Sequence, residues 1–281
     1  MTRFKFIFLV LVSLSCVSMF SHQGAAQGMS NTHNQHSNAE RSLYLEQAYD
    51  HFKISNSRIP HISRRGIELY IKNDFINRAY EFLRERGKDI NIDEINAVVV
   101  ELRDNKNLVH FLGEDVTGGI KGIFGVEFKG TKPVYVHFPK VADHLKGMYE
   151  VYVLAQKSVK GPCQLDYNTI VIKDGAEFLA YNVVAEPHQK SVIMGGHFLL
   201  RINKDKEGDK WSITEYRPFD TLCVPVSKRL ADKEGRIAVN YGALPHEIHA
   251  FLSLQYEQPL LINTGMDKWD VSMGLISRST D

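Results

Sequence analysis

From about residue 95 onward the chain repeats one pattern, in which short runs of apolar, β-branched and aromatic residues are broken by clusters of turn-formers. Runs at 95–102 and 108–112 flank Arg103-Asp104-Asn105-Lys106-Asn107, and runs at 122–128 and 134–138 flank Lys129-Gly130-Thr131-Lys132-Pro133. Runs at 169–172 and 177–184 flank Lys173-Asp174-Gly175, and runs at 192–202 and 211–216 flank a charged stretch at 203–210. Two such runs joined by so few polar residues can only fold back on each other, which is the hairpin signature. Further runs at 148–156, 222–226, 237–240, 248–256, 260–264 and 269–276 read as strands, a dozen or so in all. Val134, Val136 and Phe138 alternate with Tyr135 and His137, as expected of antiparallel sheets with one wet face. No strand–helix–strand rhythm is present, which excludes a doubly wound parallel sheet. No fixed repeat period emerges, which excludes a solenoid or propeller.

Two helices precede this region. Ser37-Asn38-Ala39-Glu40 has capping-box spacing, and Leu45, Ala48, Tyr49 and Phe52 then fall on one stripe. A second helix is expected after Ser63, with Ile67, Tyr70, Ile71, Phe75, Ala79, Phe82 and Leu83 on one face. It should end at Arg84 and Arg86, against the C-terminal dipole, with Gly87 as cap. The expected fold class is therefore α+β: two N-terminal amphipathic helices followed by a predominantly antiparallel, hairpin-rich β region. Helices of this kind cover sheets. One body spanning 38–281 is expected, with a candidate internal boundary near residue 160 at Val159-Lys160-Gly161-Pro162.

The first 26 residues have a different character. Arg3 and Lys5 precede an apolar run at 6–12, which fades through serines toward Gly24-Ala25-Ala26. A basic flank, an apolar middle and small residues at the end form a secretory signal peptide. The run is too short and too interrupted for a permanent span, which takes about 20 predominantly apolar residues. Residues 27–37 carry almost no apolar side chain and read as a disordered polar segment. The mature chain is expected to be periplasmic or secreted, without a stable membrane span. Cleavage after Ala26 would take the net charge from +1 to −1, which argues against nucleic acid as a partner. Of three cysteines, Cys163 and Cys223 stay in the mature chain. An even pair in an exported chain is a candidate disulfide. The alternative is two buried thiols that never meet.

Local motifs for chemistry are poor. In Pro245-His246-Glu247-Ile248-His249, histidines three apart could grip zinc on a helix. The following residues read instead as a strand, with Ile248, Ala250, Leu252, Leu254 and Tyr256 alternating. On that parity His246 points inward and His249 outward, away from a common metal. Gly118-Gly119, Gly122 and Gly125 lack the lysine-hydroxyl ending of a phosphate loop. Asp205, Glu207 and Asp209 lack the order and distal glutamate of a calcium loop and read as a solvated hairpin tip. No Gly-x-Ser-x-Gly elbow or Ser-x-x-Lys occurs, and Ser158-Val159-Lys160 is a lone Ser-x-Lys. His110, His137 and His197 each sit in an expected strand as packed or surface residues.

No cofactor or metal is expected from these motifs, and no catalytic residue is assigned. Two functions follow as expectations. The first is an exported soluble protein of the bacterial envelope or exterior, non-enzymatic, binding a protein or other envelope macromolecule. The alternative is an exported hydrolase with a site assembled from separated strands and loops, His246, Glu247 and His249 being its candidates. An exposed edge strand or apolar patch favours the first. A deep pocket with a bonded histidine–carboxylate pair favours the second.

Overall fold

The computed structural model describes residues 61–86, 91–103, 106–130, 132–137, 140–160, 163, 165–185, 190–205, 207–208, 210–220, 222–242, 244–265 and 267–280. The expected signal peptide, the expected polar stretch and the first expected helix lie outside these residues. Everything described belongs to one compact unit, Glu40–Asp281.

The expected second helix is α1 (His61–Arg86). Four antiparallel strands follow: β1 (Ala97–Glu101), β2 (Asn107–Glu114), β3 (Ile120–Lys129) and β4 (Lys132–Val136), paired in sequence order. The chain then forms α2 (Asp143–Ser158) where a strand at 148–156 was expected. A second antiparallel sheet orders β5 (Tyr167–Asp174), β6 (Glu177–Val184), β8 (Phe198–Lys204) and β9 (Trp211–Pro218). The run at 192–202 is thus split: β7 (Ser191–Ile193) leaves at Gly195-Gly196 and pairs with β10 (Pro225–Ser227). Last come β11 (Ile237–Asn240), α3 (Glu247–Gln255), β12 (Leu260–Asn263), β13 (Lys268–Ser272) and β14 (Leu275–Arg278). β11 and β12 pair in parallel across α3, the one departure from antiparallel pairing among the described strands.

The four-stranded sheets β1-β2-β3-β4 and β5-β6-β8-β9 have apolar residues on both faces. Val98 and Val100 of β1, Ile170 and Ile172 of β5, and Leu179 and Tyr181 of β6 pack with α1 and α3. Ala97, Val99, Val171, Phe178, Ala180, Leu200 and Ile202 instead pack with Leu145, Met148, Tyr149, Tyr152 and Ala155 of α2. Strands covered on both sides read as continuous apolar runs, and Ala97 to Val100 are all buried accordingly. Lys72 of α1 links the two sheets: its buried ammonium donates to the carbonyls of Val100 (3.0 Å) and Val171 (3.4 Å), with Glu68 3.8 Å away.

α1 is more than an amphipathic cover. Leu69, Asn73 and Ile76, off the expected stripe, are buried as well, because α3 lies against it. The crossing requires Gly66, where a Cβ would sit 2.4 Å from Ala250 Cβ and from the Glu247 carbonyl oxygen. Cys163 and Cys223 stand at disulfide distance, with Cα atoms 5.6 Å apart. Gly196 (φ +80°) packs on the pair, and a Cβ there would come within 2.4 Å of Cys163 Sγ.

Candidate functional site

The sequence nominated His246, Glu247 and His249, and the structure corrects their setting. Residues 247–255 form helix α3, not a strand, so the inward–outward parity does not hold. His249 is buried and His246 partly so, and their rings stack 4.0 Å apart. Both serve as caps of the helix start. His246 Nδ1 accepts from the Ile248 N–H (3.2 Å), and His249 Nδ1 accepts from the His246 N–H (3.2 Å). His246 Nε2 lies 3.1 Å from the Tyr241 hydroxyl. Glu247 Oε1 accepts from Tyr181 (3.0 Å) and from Arg217 Nη2 (2.7 Å). Its partners are therefore a phenol and a guanidinium, and it does not pair with either histidine.

His197, wholly buried, belongs to the same region; its ring meets Phe251 of α3 edge-on. Its Nδ1 accepts from the Val184 N–H (3.4 Å), and Nε2 lies 3.2 Å from the Ile193 carbonyl. Burial lowers all three histidines, His197 to about 4 and His249 to about 3; for His246 the neighbouring His249, Arg217 and His197 add to it. Histidines that stay neutral while holding backbone N–H groups are structural parts, unsuited to proton transfer near neutral pH.

The histidine–carboxylate contacts lie elsewhere. Glu101, at the end of β1, meets His110 Nε2 of β2 (2.6 Å) and His144 Nε2 of α2 (2.7 Å), and Arg103 Nη2 donates to it (3.0 Å). Burial alone would raise this carboxyl, but the bonds from His110, His144 and Arg103, with the His110 charge, hold it at about 2. The hollow over it holds about 140 Å³ and is walled by Leu108, Leu112, Val141 and Leu145. Among the described residues no hydroxyl or thiol side chain lines it.

His144 also lines a larger groove of about 510 Å³, where the first turns of α2 leave the end of the second sheet uncovered. Its floor is Met148, Phe178 and Trp211. The Trp211 ring meets Phe178 edge-on at 5.1 Å, and its Nε1 donates to Glu150 (2.7 Å). Its rim carries Lys146, Lys173 and Lys204 against Asp143 and Glu150. Lys146 is engaged by Asp143 at 2.8 Å, and Lys204 Nζ stands 5.2 Å from the centre of the Trp211 ring. Lys173 and Lys204 come from two hairpins, each just before its turn. The groove adjoins β9, an outer strand of its sheet, which exposes Ile213 and Tyr216. β4, the outer strand of the first sheet, exposes Val134 and Tyr135 in the same way.

The other nominated residues do not converge. Ser158 donates its hydroxyl to the Leu154 carbonyl (2.7 Å) at the end of α2. Asp115 accepts from the Thr117 and Gly119 N–H groups (2.8 Å each), so the glycine patch is a tight β2–β3 turn. Asp205 closes the β8–β9 turn by accepting from the Gly208 N–H through its carbonyl (3.0 Å). His137 is exposed, just beyond β4. Among the described residues no group of three or more His, Cys, Asp or Glu is arranged to hold a metal ion, and no helix is long and apolar enough to cross a membrane. The groove escaped sequence reasoning because it is assembled from α2, two hairpin ends and the start of β9. The one available signal was the lysine placed just before each turn. No family model, no curated protein and no solved structure matches the chain.

Proposed function

We propose that the chain is an exported protein of the bacterial envelope or exterior that works by holding another macromolecule, without catalysing a reaction. The observation that carries this reading is the open groove of about 510 Å³, with an apolar floor and a lysine rim, lying beside an outer strand with exposed apolar side chains. An exposed strand edge and an apolar surface are features that polypeptide partners use. The hydrolase reading has less support. His246 and His249 are engaged as helix caps and Glu247 is neutralised by Arg217. The hollow beside Glu101 holds about 140 Å³, below the ~300–1,000 Å³ of ordinary small-molecule sites. Among the described residues lining the groove of about 510 Å³, the one histidine, His144, is bonded to Glu101, with no hydroxyl or thiol side chain beside it.

Native mass spectrometry of the mature protein, purified from its own host's envelope fraction without chelator, tests the proposal. A chain carrying a protein partner in fixed stoichiometry is the expected result. A chain carrying a stoichiometric metal or small molecule and no macromolecule would overturn it.

A further inference from the structure

The groove's chemistry points to one kind of occupant. We infer that it takes an acidic segment of a partner protein, with an apolar side chain on the Met148–Phe178–Trp211 floor and carboxylates at Lys173 and Lys204. The inference rests on the binding role proposed above and narrows it.

The floor is apolar, and an indole fixed by Glu150 and braced on Phe178 offers a rigid surface at little cost in side-chain freedom. The polar groups that close the groove carry more positive than negative charge. Asp143 is engaged by Lys146 and Glu150 accepts from Trp211, so each acid on the rim already has a partner within the chain. Lys173 and Lys204 project from separate hairpins and present two cationic points rather than one. Lys173 also lines a neighbouring recess with His61, Arg64 and Arg65 of α1, where Arg65 is already paired with Glu68 and Asp174. Two spaced cations about an apolar floor match an acidic polypeptide carrying a bulky apolar residue. A purely polar acidic polymer would leave the floor unused.

The test uses the mature protein and two synthetic decapeptides that alternate acidic and aromatic residues, one with aspartates and one with asparagines in their place. Binding is read by isothermal titration at two salt concentrations. The aspartate peptide should bind, the asparagine peptide should bind at least tenfold more weakly, and added salt should weaken the first. An exposed ion pair supplies a factor of about two to five, so Lys173→Gln with Lys204→Gln should weaken binding about tenfold. Both lysines are exposed, so the double variant should keep the wild-type melting temperature. Equal binding of the two peptides, no loss in the double variant, or no binding would overturn the inference. So would tighter binding of polygalacturonate, an acidic polysaccharide, than of the aspartate peptide. If host-purified protein and its double variant both carry a partner, the binding role stands and this assignment of the groove falls. If neither does, the binding role itself falls.

Discussion

Acid should unfold this protein earlier than its carboxylates alone would require. His197 and His249 are buried, with values near 4 and 3 in place of the ordinary 6.5, and His246 shifts the same way. Each must stay neutral in the folded chain, because its Nδ1 holds a backbone N–H. The unfolded chain accepts these protons as pH falls below 6.5 while the folded chain does not. This contribution to stability is therefore complete above 6.5 and is lost progressively down to the folded-state values. Each such histidine costs about 1.4 kcal/mol per pH unit. By pH 4.5, His197 and His249 together remove roughly 5 kcal/mol, and His246 adds to the loss. A domain holds only about 5–15 kcal/mol in total. Glu101, held at about 2 against 4.5, begins to contribute only at more acid pH. The window from 6.5 to 4.5 therefore isolates the histidines from that carboxylate. Urea melts at half-unit steps across it, read by circular dichroism, should give unfolding free energies that fall steadily. His249→Asn keeps an acceptor for the His246 N–H and should reduce the slope by about 1.4 kcal/mol per pH unit. A flat free energy between pH 6.5 and 4.5 would refute the assignment of these rings as buried neutral caps.

Three further outcomes follow from the packing. Reducing Cys163–Cys223, which closes a separation of 60 residues, should cost about 4 kcal/mol on the chain-entropy account; identical melts with and without reductant would contradict it. Lys72→Met leaves the Val100 and Val171 carbonyls without their buried donor and should cost about 2 kcal/mol in urea melts, whereas a neutral substitution would mean the ammonium does not hold the two sheets. Gly66→Leu cannot be accommodated between α1 and α3, so it should lower stability by at least ~3 kcal/mol, and a near-native melt would disprove that close crossing.

The hairpins were legible because turn-formers bracket β-branched runs and because β1–β2, β3–β4, β5–β6 and β8–β9 are local pairings. The two missed helices failed for different reasons. In α2 the buried residues Leu145, Met148, Tyr149, Tyr152 and Ala155 do recur at helical spacing. The β-formers Val151, Tyr152 and Val153 masked it, since packing on two sheets overrides local propensity. In α3 every residue from Glu247 to Leu254 is buried, so no polar face marks a period of 3.6, and the alternation of Ile248, Ala250, Leu252 and Leu254 was coincidental. The parallel β11–β12 pair was missed with it. Cys163 and Cys223 were legible as a candidate pair from their number alone. The groove was not, because Gly147, Lys173, Lys204 and Trp211 meet only once the second sheet and α2 are assembled.

A photo-crosslinking residue at Ala176, exposed on the rim of the groove, tests most directly in cells of the host whether the groove holds a macromolecular partner. Ile92, exposed and outside the groove lining, is the control. A discrete adduct of one added protein mass is expected from position 176 and none from position 92. Adducts from both positions alike, or from neither, would contradict it.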